Sequence, residues 1–209
     1  MPDIEWNKTT WTRNVGHAFK SFDIENYGDH WGKVEETPHL LAFRDRFLLP
    51  FVSADVRALE IGSGGGRWTD YLKACQSVVC VDVNSVMLDL VRERFSDQDN
   101  LSFVLTEGSN LPGVADDSID FVFSHDVFVH VDPLEVYDYL AEIRRVLTDD
   151  GTVVIHYADQ DKKGAQKNDG FARNNPRLMR AMIEQSGFVI VDDDSDIFKH
   201  SSIARFTPR

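Results

Sequence analysis

Short apolar runs alternate with helical stretches over most of the chain. The runs fall at residues 58–61, 78–81, 101–105, 119–123 and 152–156, each the length of a strand buried on both faces. Between them, residues 67–74, 86–95 and 134–147 carry apolar positions at helical spacing. In the last of these, Leu134, Val136 or Tyr137, Leu140, Ile143 and Leu147 form one stripe. A further helix over 176–186 closes on Gly187, which suits a left-handed cap. Two later runs, 188–191 and 203–206, read as an antiparallel hairpin at one sheet edge, with Asp192, Asp193 and Asp194 in a solvated turn between them. This alternation predicts an α/β fold: a doubly wound, mostly parallel seven-stranded sheet with helices on both faces and a C-terminal antiparallel hairpin. Ligands are then expected beyond the carboxyl ends of the strands.

The first fifty residues have a different texture. Trp6, Trp11, Phe19, Phe22, Tyr27 and Trp31 are scattered among polar residues without strand periodicity, so helix pieces and a loop centred on 27–32 fit better. Thr37 and Pro38 make a cap and first helical residue. Leu40, Leu41, Phe43, Phe47 and Leu48 supply an apolar face, and Pro50 stops the helix. The expected organisation is therefore a helical lid or cap over 1–55 and a cofactor-binding domain over 56–209. The same aromatic residues would also serve as a packing layer on the sheet edge.

Composition narrows the partners. The 209 residues suit one domain, and 42% hydrophobic with 27% charged residues is ordinary for a globular protein. Lys and Arg number 22 against 35 Asp and Glu, and the resulting charge of −13 repels phosphate backbones and anionic membranes, which argues against nucleic-acid and membrane partners. Residues 1–20 lack the apolar stretch of a signal peptide and no long apolar run follows, so a cytoplasmic location is expected. Cys75 and Cys80 read as reduced thiols in or near the core rather than a disulfide. Nothing in the pattern points to a particular oligomeric state.

The strongest chemical signal is Leu59-Glu60-Ile61-Gly62-Ser63-Gly64-Gly65-Gly66 at the end of the first strand. Glycines there let the backbone turn sharply and approach a ligand closely. No Gly-Lys-Ser/Thr closes the loop as a phosphate-cradling loop requires, and Arg67 stands where the dinucleotide fingerprint wants glycine. The pattern Glu-x-Gly-x-Gly-x-Gly matches residue for residue. Asp82 ends the second strand, where a carboxylate accepts from both hydroxyls of a ribose; it also suits a cap for the helix that follows. Glu107, after the third strand, suits an exocyclic adenine amine, although its surroundings are also a common loop composition.

Glu60 to Gly66, Asp82, Glu107 and the segment Asp120-Phe121-Val122-Phe123-Ser124, taken in order, resemble the successive motifs of the class I S-adenosylmethionine-dependent methyltransferases. The resemblance runs from Arg57 to Tyr157 and implies a Rossmann-like fold, S-adenosyl-L-methionine as cofactor and S-adenosyl-L-homocysteine as product. It also implies cofactor-binding residues: Glu60, Gly62, Ser63, Gly64 and Gly66 by the methionine end, Asp82 on the ribose, Val83 or Asn84 beside the adenine, Glu107 and Gly108 at the adenine amine, and Ser124 at the end of the fourth strand. The chain departs from the family in having Glu rather than Asp at 107, and Asp149-Asp150-Gly151 in place of a Pro-Gly-Gly turn.

The acceptor is read from fewer residues. Ser124-His125-Asp126-Val127 is not the Asn/Asp-Pro-Pro-Tyr/Phe segment of relatives that methylate base or glutamine nitrogens. His125 is the catalytic candidate, a base for an acceptor hydroxyl; a lone histidine also serves simply as a hydrogen-bonded side chain. His130 reads as structural. No metal is expected, since neither His-Glu-x-x-His nor paired Cys spacing occurs. His156 and Tyr157, at the end of the fifth strand, are further candidates for acceptor contact, and the resemblance implies that the region of Arg173, Asn174 and Asn175 lines the acceptor pocket. The expected activity is methyl transfer to a small-molecule acceptor such as a sugar or other secondary metabolite, on oxygen before nitrogen. The alternatives are a non-catalytic S-adenosylmethionine-binding subunit that activates a partner, an aminopropyl transferase, and a dehydrogenase already disfavoured by Arg67.

Overall fold

The computed structural model describes residues 3–209; Met1 and Pro2, which begin the expected lid segment and the stretch read as lacking a signal peptide, lie outside the described residues. Seven helices and seven strands alternate: α1 (Ile4–Ser21), α2 (Pro38–Phe47), β1 (Arg57–Ile61), α3 (Thr69–Leu72), β2 (Ser77–Asp82), α4 (Ser85–Arg94), β3 (Leu101–Leu105), β4 (Ile119–Phe128), α5 (Pro133–Val146), β5 (Leu147–Ala158), α6 (Lys163–Gln166), α7 (Pro176–Gln185), β6 (Phe188–Asp194) and β7 (Ser201–Pro208). The strands form one sheet in the order β3-β2-β1-β4-β5-β7-β6. The first five are parallel, and β7 is antiparallel to both β5 and β6. The chain winds outward from β1 to β3 and then returns to place β4 on the other side of β1. A crevice opens at that reversal, at the carboxyl ends of β1 and β4.

Alternation along each strand builds two cores. On one face Leu59, Ile61, Val122, Val153 and Ile155 pack against Val136, Leu140 and Ile143 of α5 and Met179 and Ile183 of α7. On the other, Ala58, Val78, Cys80, Phe121, Phe123 and Val154 meet Phe43 and Phe47 of α2, Leu72 of α3 and Leu88 and Val91 of α4. Phe43 and Phe47 are fully buried, each contributing about 1.5–3 kcal/mol by burial, which seats α2 firmly on the sheet. A third cluster joins Val15 and Ala18 of α1 to Tyr27 and to Met87 of α4. Cys75 and Cys80 are buried and free. No helix among the described residues is long and apolar enough to cross a membrane.

The structure corrects several boundaries. The N-terminal helix pieces are one eighteen-residue helix, capped by Asp3, which accepts from the Trp6 N–H at 2.7 Å. Thr37 precedes Pro38 without a side-chain capping bond. The helix expected at 67–74 is only α3, because Gly66, Arg67 and Trp68 belong to the turn that closes the glycine loop. Asp149, Asp150 and Gly151 bulge out within β5, between the pairs Ile119–Leu147 and Phe121–Thr152. Asp192–Asp194 is no turn but the end of β6. Side chains alternate along a strand, so Asp192 and Asp194 reach Arg46 of α2 at 2.6 and 2.7 Å, while Asp193 reaches Arg180 of α7 at 2.7 Å.

Candidate functional site

A cavity of about 520 Å³ lies at the carboxyl ends of β1, β2 and β4. Its floor is the glycine loop. The Gly62 N–H donates to the Val81 carbonyl at 2.7 Å, which ties the loop to β2. Gly62 has a φ of +76°, and a Cβ there would run into the Val127 side chain. Gly65 is pressed against the Tyr27 backbone, so it too has no room for a Cβ. Ser63 is buried, and its Oγ has no hydrogen-bond partner.

Asp82 closes β2 at the cavity wall. Its Oδ1 accepts from the Asn84 N–H at 2.9 Å and its Oδ2 from the Gly64 N–H at 3.3 Å. The cap of α4 is Asn84, which accepts from the Val86 N–H at 3.0 Å, so helix capping does not account for Asp82. Burial pushes the Asp82 carboxyl up to about 6, against the pull of its backbone donors. Val83 and Thr106 continue this wall.

The opposite end is built by β4 and β5. Their parallel register sets Ser124 beside Ile155, so the next residues, His125 and His156, stack with ring centroids 4.4 Å apart at 13°. Phe43 and Trp68 pack against His125 at 4.6 and 4.8 Å. Asp126 sits in a bulge between Ser124 and Phe128 at φ +60°, a left-handed conformation that costs a non-glycine residue about 1–2 kcal/mol. The bulge turns its carboxylate toward both imidazoles, 3.2 Å from each Nδ1. Burial pushes the Asp126 carboxyl up, but the closeness of His125, and then of His156, outweighs it and holds the group well below its ordinary value. The Asp126 side chain is 45% exposed, to the cavity it lines.

His156 lies behind this surface, fully buried. Its Nδ1 accepts from the Asp126 N–H at 3.2 Å and its Nε2 meets Ser201 Oγ at 2.5 Å. Burial, then His125, pushes its pKa down to about 4, so it is neutral. His125 differs in that both ring nitrogens are buried and neither makes a hydrogen bond, because the Asp126 contact lies off the line of an N–H bond. His125, Asp126 and His156 bring ligand atoms within 4.8 Å of one another. Stacked rings, however, point their lone pairs side by side rather than at a common centre, and the His156 Nδ1 is already occupied. The cluster suits a hydrogen-bonded group better than a chelate.

α1 and the Tyr27–Trp31 stretch roof the cavity through Ile4, Asn7, Trp11, Tyr27 and Trp31. Trp11 meets Trp31 edge-on at 6.0 Å and His130 at 4.9 Å. His130 also lines the cavity and donates from Nδ1 to the Gly170 carbonyl at 2.7 Å. Burial lowers its pKa.

Of the residues singled out in the sequence, Gly62, Ser63, Gly64, Asp82, Val83 and His125 converge on this cavity. Glu60, Gly66, Glu107, Gly108 and Ser124 lie outside its lining. Glu60 points into the opposite core, where Thr69 Oγ1 donates to it at 2.5 Å, and burial pushes its carboxyl up to about 8. Gly66 packs on Phe95, Gly108 is buried beside Ile4, and Ser124 donates to the Ile61 carbonyl at 2.9 Å. Glu107 is exposed, and Thr106 takes the wall position next to it. Tyr157 faces the other core, Asn174 donates to the Val131 carbonyl at 2.9 Å, and Asn175 caps α7; the cavity is lined instead by Asn168, Phe171, Phe198 and His200. These four, with Arg67 and Trp68, escaped the sequence reading. For Arg67 and Trp68 the signal was adjacency to the glycine loop.

Residues 59–155 match the family model described as a methyltransferase domain. Two solved structures share the whole architecture. The N-methyltransferase NodS from Bradyrhizobium japonicum, in complex with S-adenosylhomocysteine, is similar at a TM-score of 0.74 and 15% identity, covering 96% of this chain and 97% of that one. Magnesium protoporphyrin IX methyltransferase from Synechocystis, also with S-adenosylhomocysteine bound, is similar at 0.69 and 15%, covering 99% and 98%. Over residues 59–155 the chain is similar to methyltransferase domains, and its fold is the class I methyltransferase fold. The chain is also similar to part of squalestatin hexaketide synthase from a Phoma species, 25% identical over 71% of this chain; it spans only 7% of that curated relative's length.

The cofactor of such domains is S-adenosylmethionine, and the cavity of this one fits an adenosyl group. The loop presents bare backbone where a Cβ would obstruct, Ser63 Oγ is buried without a partner, and Asp82 faces the cavity with acceptor capacity beyond its two backbone donors.

Proposed function

We propose that this protein transfers a methyl group from S-adenosylmethionine to a hydroxyl of a small-molecule acceptor, with His125 as general base. The observation that carries this reading is one continuous cavity with Asp82 on one wall and the unbonded imidazole of His125 on another. Asp82 would hold the ribose, Val83 and Thr106 would flank the adenine, and the Gly62–Gly64 backbone with Ser63 would face the methionine portion. Glu60, Gly66, Gly108 and Ser124 would act beneath this contact surface by shaping the loop and strand ends. Glu107 would meet the adenine amine from the rim.

Bound S-adenosylmethionine supplies an electrophilic methyl group, and the chain's own residues align the acceptor and manage its proton. Asp126 lies by Nδ1 of His125, which leaves Nε2 to take the acceptor's proton. The imidazolium so formed has the Asp126 carboxylate 3.2 Å away to stabilise it. The residue 1–55 segment would act as the lid, with Trp11, Tyr27 and Trp31 excluding water and offering flat apolar surface to the acceptor. A cavity extending past the glycine loop to His125, Phe198 and His200 favours an enzyme over a non-catalytic subunit. Methyl-labelled S-adenosylmethionine, incubated with pools of small-molecule alcohols and amines, tests the reading. Label should pass to a hydroxyl compound; transfer only to amines, or to nothing while cofactor binds, contradicts it.

A further inference from the structure

The end of the cavity beyond the glycine loop is walled by rings. Trp11 meets His130 at 4.9 Å, His130 meets Phe171 at 5.4 Å and Phe171 meets His200 at 5.2 Å. His200 then meets Phe198 at 6.2 Å and Phe198 meets His125 at 5.5 Å, and all six line the cavity. This belt runs unbroken from the roof to the His125 imidazole. It offers ring faces and edges but few free hydrogen-bonding groups. The Trp11 indole N–H donates to Asn7 Oδ1 at 3.1 Å, and His130 Nδ1 is bound to the Gly170 carbonyl. Arg67 is bonded to the Gly28 carbonyl, and Asp126 is engaged by His125 and His156. Two imidazoles are left over. Both nitrogens of His125 and Nδ1 of His200 are buried without a hydrogen-bond partner among the described residues. The two rings flank His156, at 4.4 and 6.2 Å. Burial, then His156, lowers the His200 pKa, so this imidazole is neutral and suits an uncharged oxygen.

Such a belt discriminates by shape and by proton. A flat ring system packs against it face and edge, each well-placed pair adding to the gain from apolar burial. A sugar would give up water around several hydroxyls and find partners for few of them. A phenol also matches the base. It releases its proton near pH 10, whereas an aliphatic hydroxyl holds its proton about as tightly as water does, near 15.7, and an imidazole is the better partner for the first. We propose that the acceptor is a planar aromatic compound, with a phenolic hydroxyl methylated at His125 and a second oxygen group, on its far edge, hydrogen-bonded to His200. The assignment rests on the hydroxyl-methylating reading above, and it makes His200 a specificity-determining residue. In the transfer, the phenolic oxygen forms the new bond to the methyl carbon. The carbon–sulfur bond breaks with its electron pair going to sulfur, which leaves S-adenosylhomocysteine, and the phenolic proton passes to Nε2 of His125.

The test varies the acceptor on one carbon skeleton. Methyl-labelled S-adenosylmethionine is given to the wild type with 2-naphthol, its ring-saturated analogue decahydro-2-naphthol, the 2,6- and 2,7-naphthalenediols, and methyl glucoside. The value of kcat/KM should be at least about tenfold higher for 2-naphthol than for the saturated analogue, with the glucoside lower still. One of the diols should exceed 2-naphthol by about 5- to 100-fold, chiefly through KM. His200→Phe, which keeps the ring contacts, should erase that diol preference, and His200→Gln, which keeps a hydrogen-bonding group, should retain part of it. Transfer to the saturated alcohol or the glucoside as fast as to 2-naphthol would overturn the aromatic assignment and leave hydroxyl methylation standing. A diol preference absent from the wild type, or surviving in His200→Phe, would overturn the role of His200. No transfer to any of these compounds, from protein that binds S-adenosylhomocysteine, would also overturn the proposal; the hydroxyl reading itself falls only if the wider pools of alcohols stay unlabelled too. Because the wild-type comparison needs no substitution, a poorly folding variant does not block the test.

Discussion

Replacing His125 with Phe separates the chemical from the structural role of this imidazole. The ring sits in an aromatic cage of Phe43, Trp68 and His156 at 4.4–4.8 Å, which a phenyl ring fills with little change of shape. Both nitrogens are buried and unbonded, and each such group costs about 1–3 kcal/mol in the folded state. The extra ring volume costs something in return, but the adjoining cavity can take it. The net expectation is a gain of about 1–2 kcal/mol, or a Tm higher by roughly 2–8 °C for a chain of this size. Turnover should meanwhile fall by about 10²–10⁴-fold, while affinity for S-adenosylhomocysteine barely moves. Urea denaturation reads the first effect, and single-turnover transfer of labelled methyl to the acceptor reads the second. A His125→Phe protein that is less stable yet turns over normally would refute the reasoning, because the imidazole would then be a structural group whose nitrogens are satisfied.

Asp82→Ala removes the proposed ribose acceptor and should weaken S-adenosylhomocysteine about 10- to 150-fold by calorimetry, with the fold intact because α4 keeps its Asn84 cap. Glu60 gives a pH signature. Its folded pKa of about 8 stands above the ordinary 4.5, so the native state holds a proton that the unfolded chain has lost, and stability declines as pH rises from 4.5 to 8. Glu60→Gln, which cannot ionise and still accepts from Thr69, should match the wild type near pH 5 and exceed it by about 2–4 kcal/mol at pH 9 in urea denaturation; parallel curves would contradict the assignment. His156 works in the opposite sense. Its folded pKa of about 4 lies below 6.5, so the unfolded chain takes up the proton first and stability is lost as pH falls through that interval, a loss His156→Gln should lessen.

Strand periodicity made the sheet readable because most strands are buried on both faces, and the glycine loop announced its own turn. The acidic stretch at Asp192–Asp194 misled because charge normally marks solvent; only the placement of Arg46 and Arg180 on opposite faces turns it into a paired strand. The His125–His156 stack depends on the register of β4 against β5, which local sequence does not encode. Asp126 was visible as a neighbour of His125, but its left-handed backbone, which aims the carboxylate at both rings, was not. Arg67 counted only as a missing glycine, although it lines the cavity. Glu107 and Thr106 show the limit at a strand end, where one residue of offset decides which side chain faces the cavity and which faces solvent.

The proposed function requires the crevice between the glycine loop and Asp82 to take an adenosyl group attached to an amino acid rather than a dinucleotide. Isothermal titration of the wild-type chain with S-adenosylhomocysteine and, separately, with NAD measures this directly. A micromolar dissociation constant for S-adenosylhomocysteine with no heat from NAD is the predicted result; binding of NAD with no heat from S-adenosylhomocysteine would contradict the account.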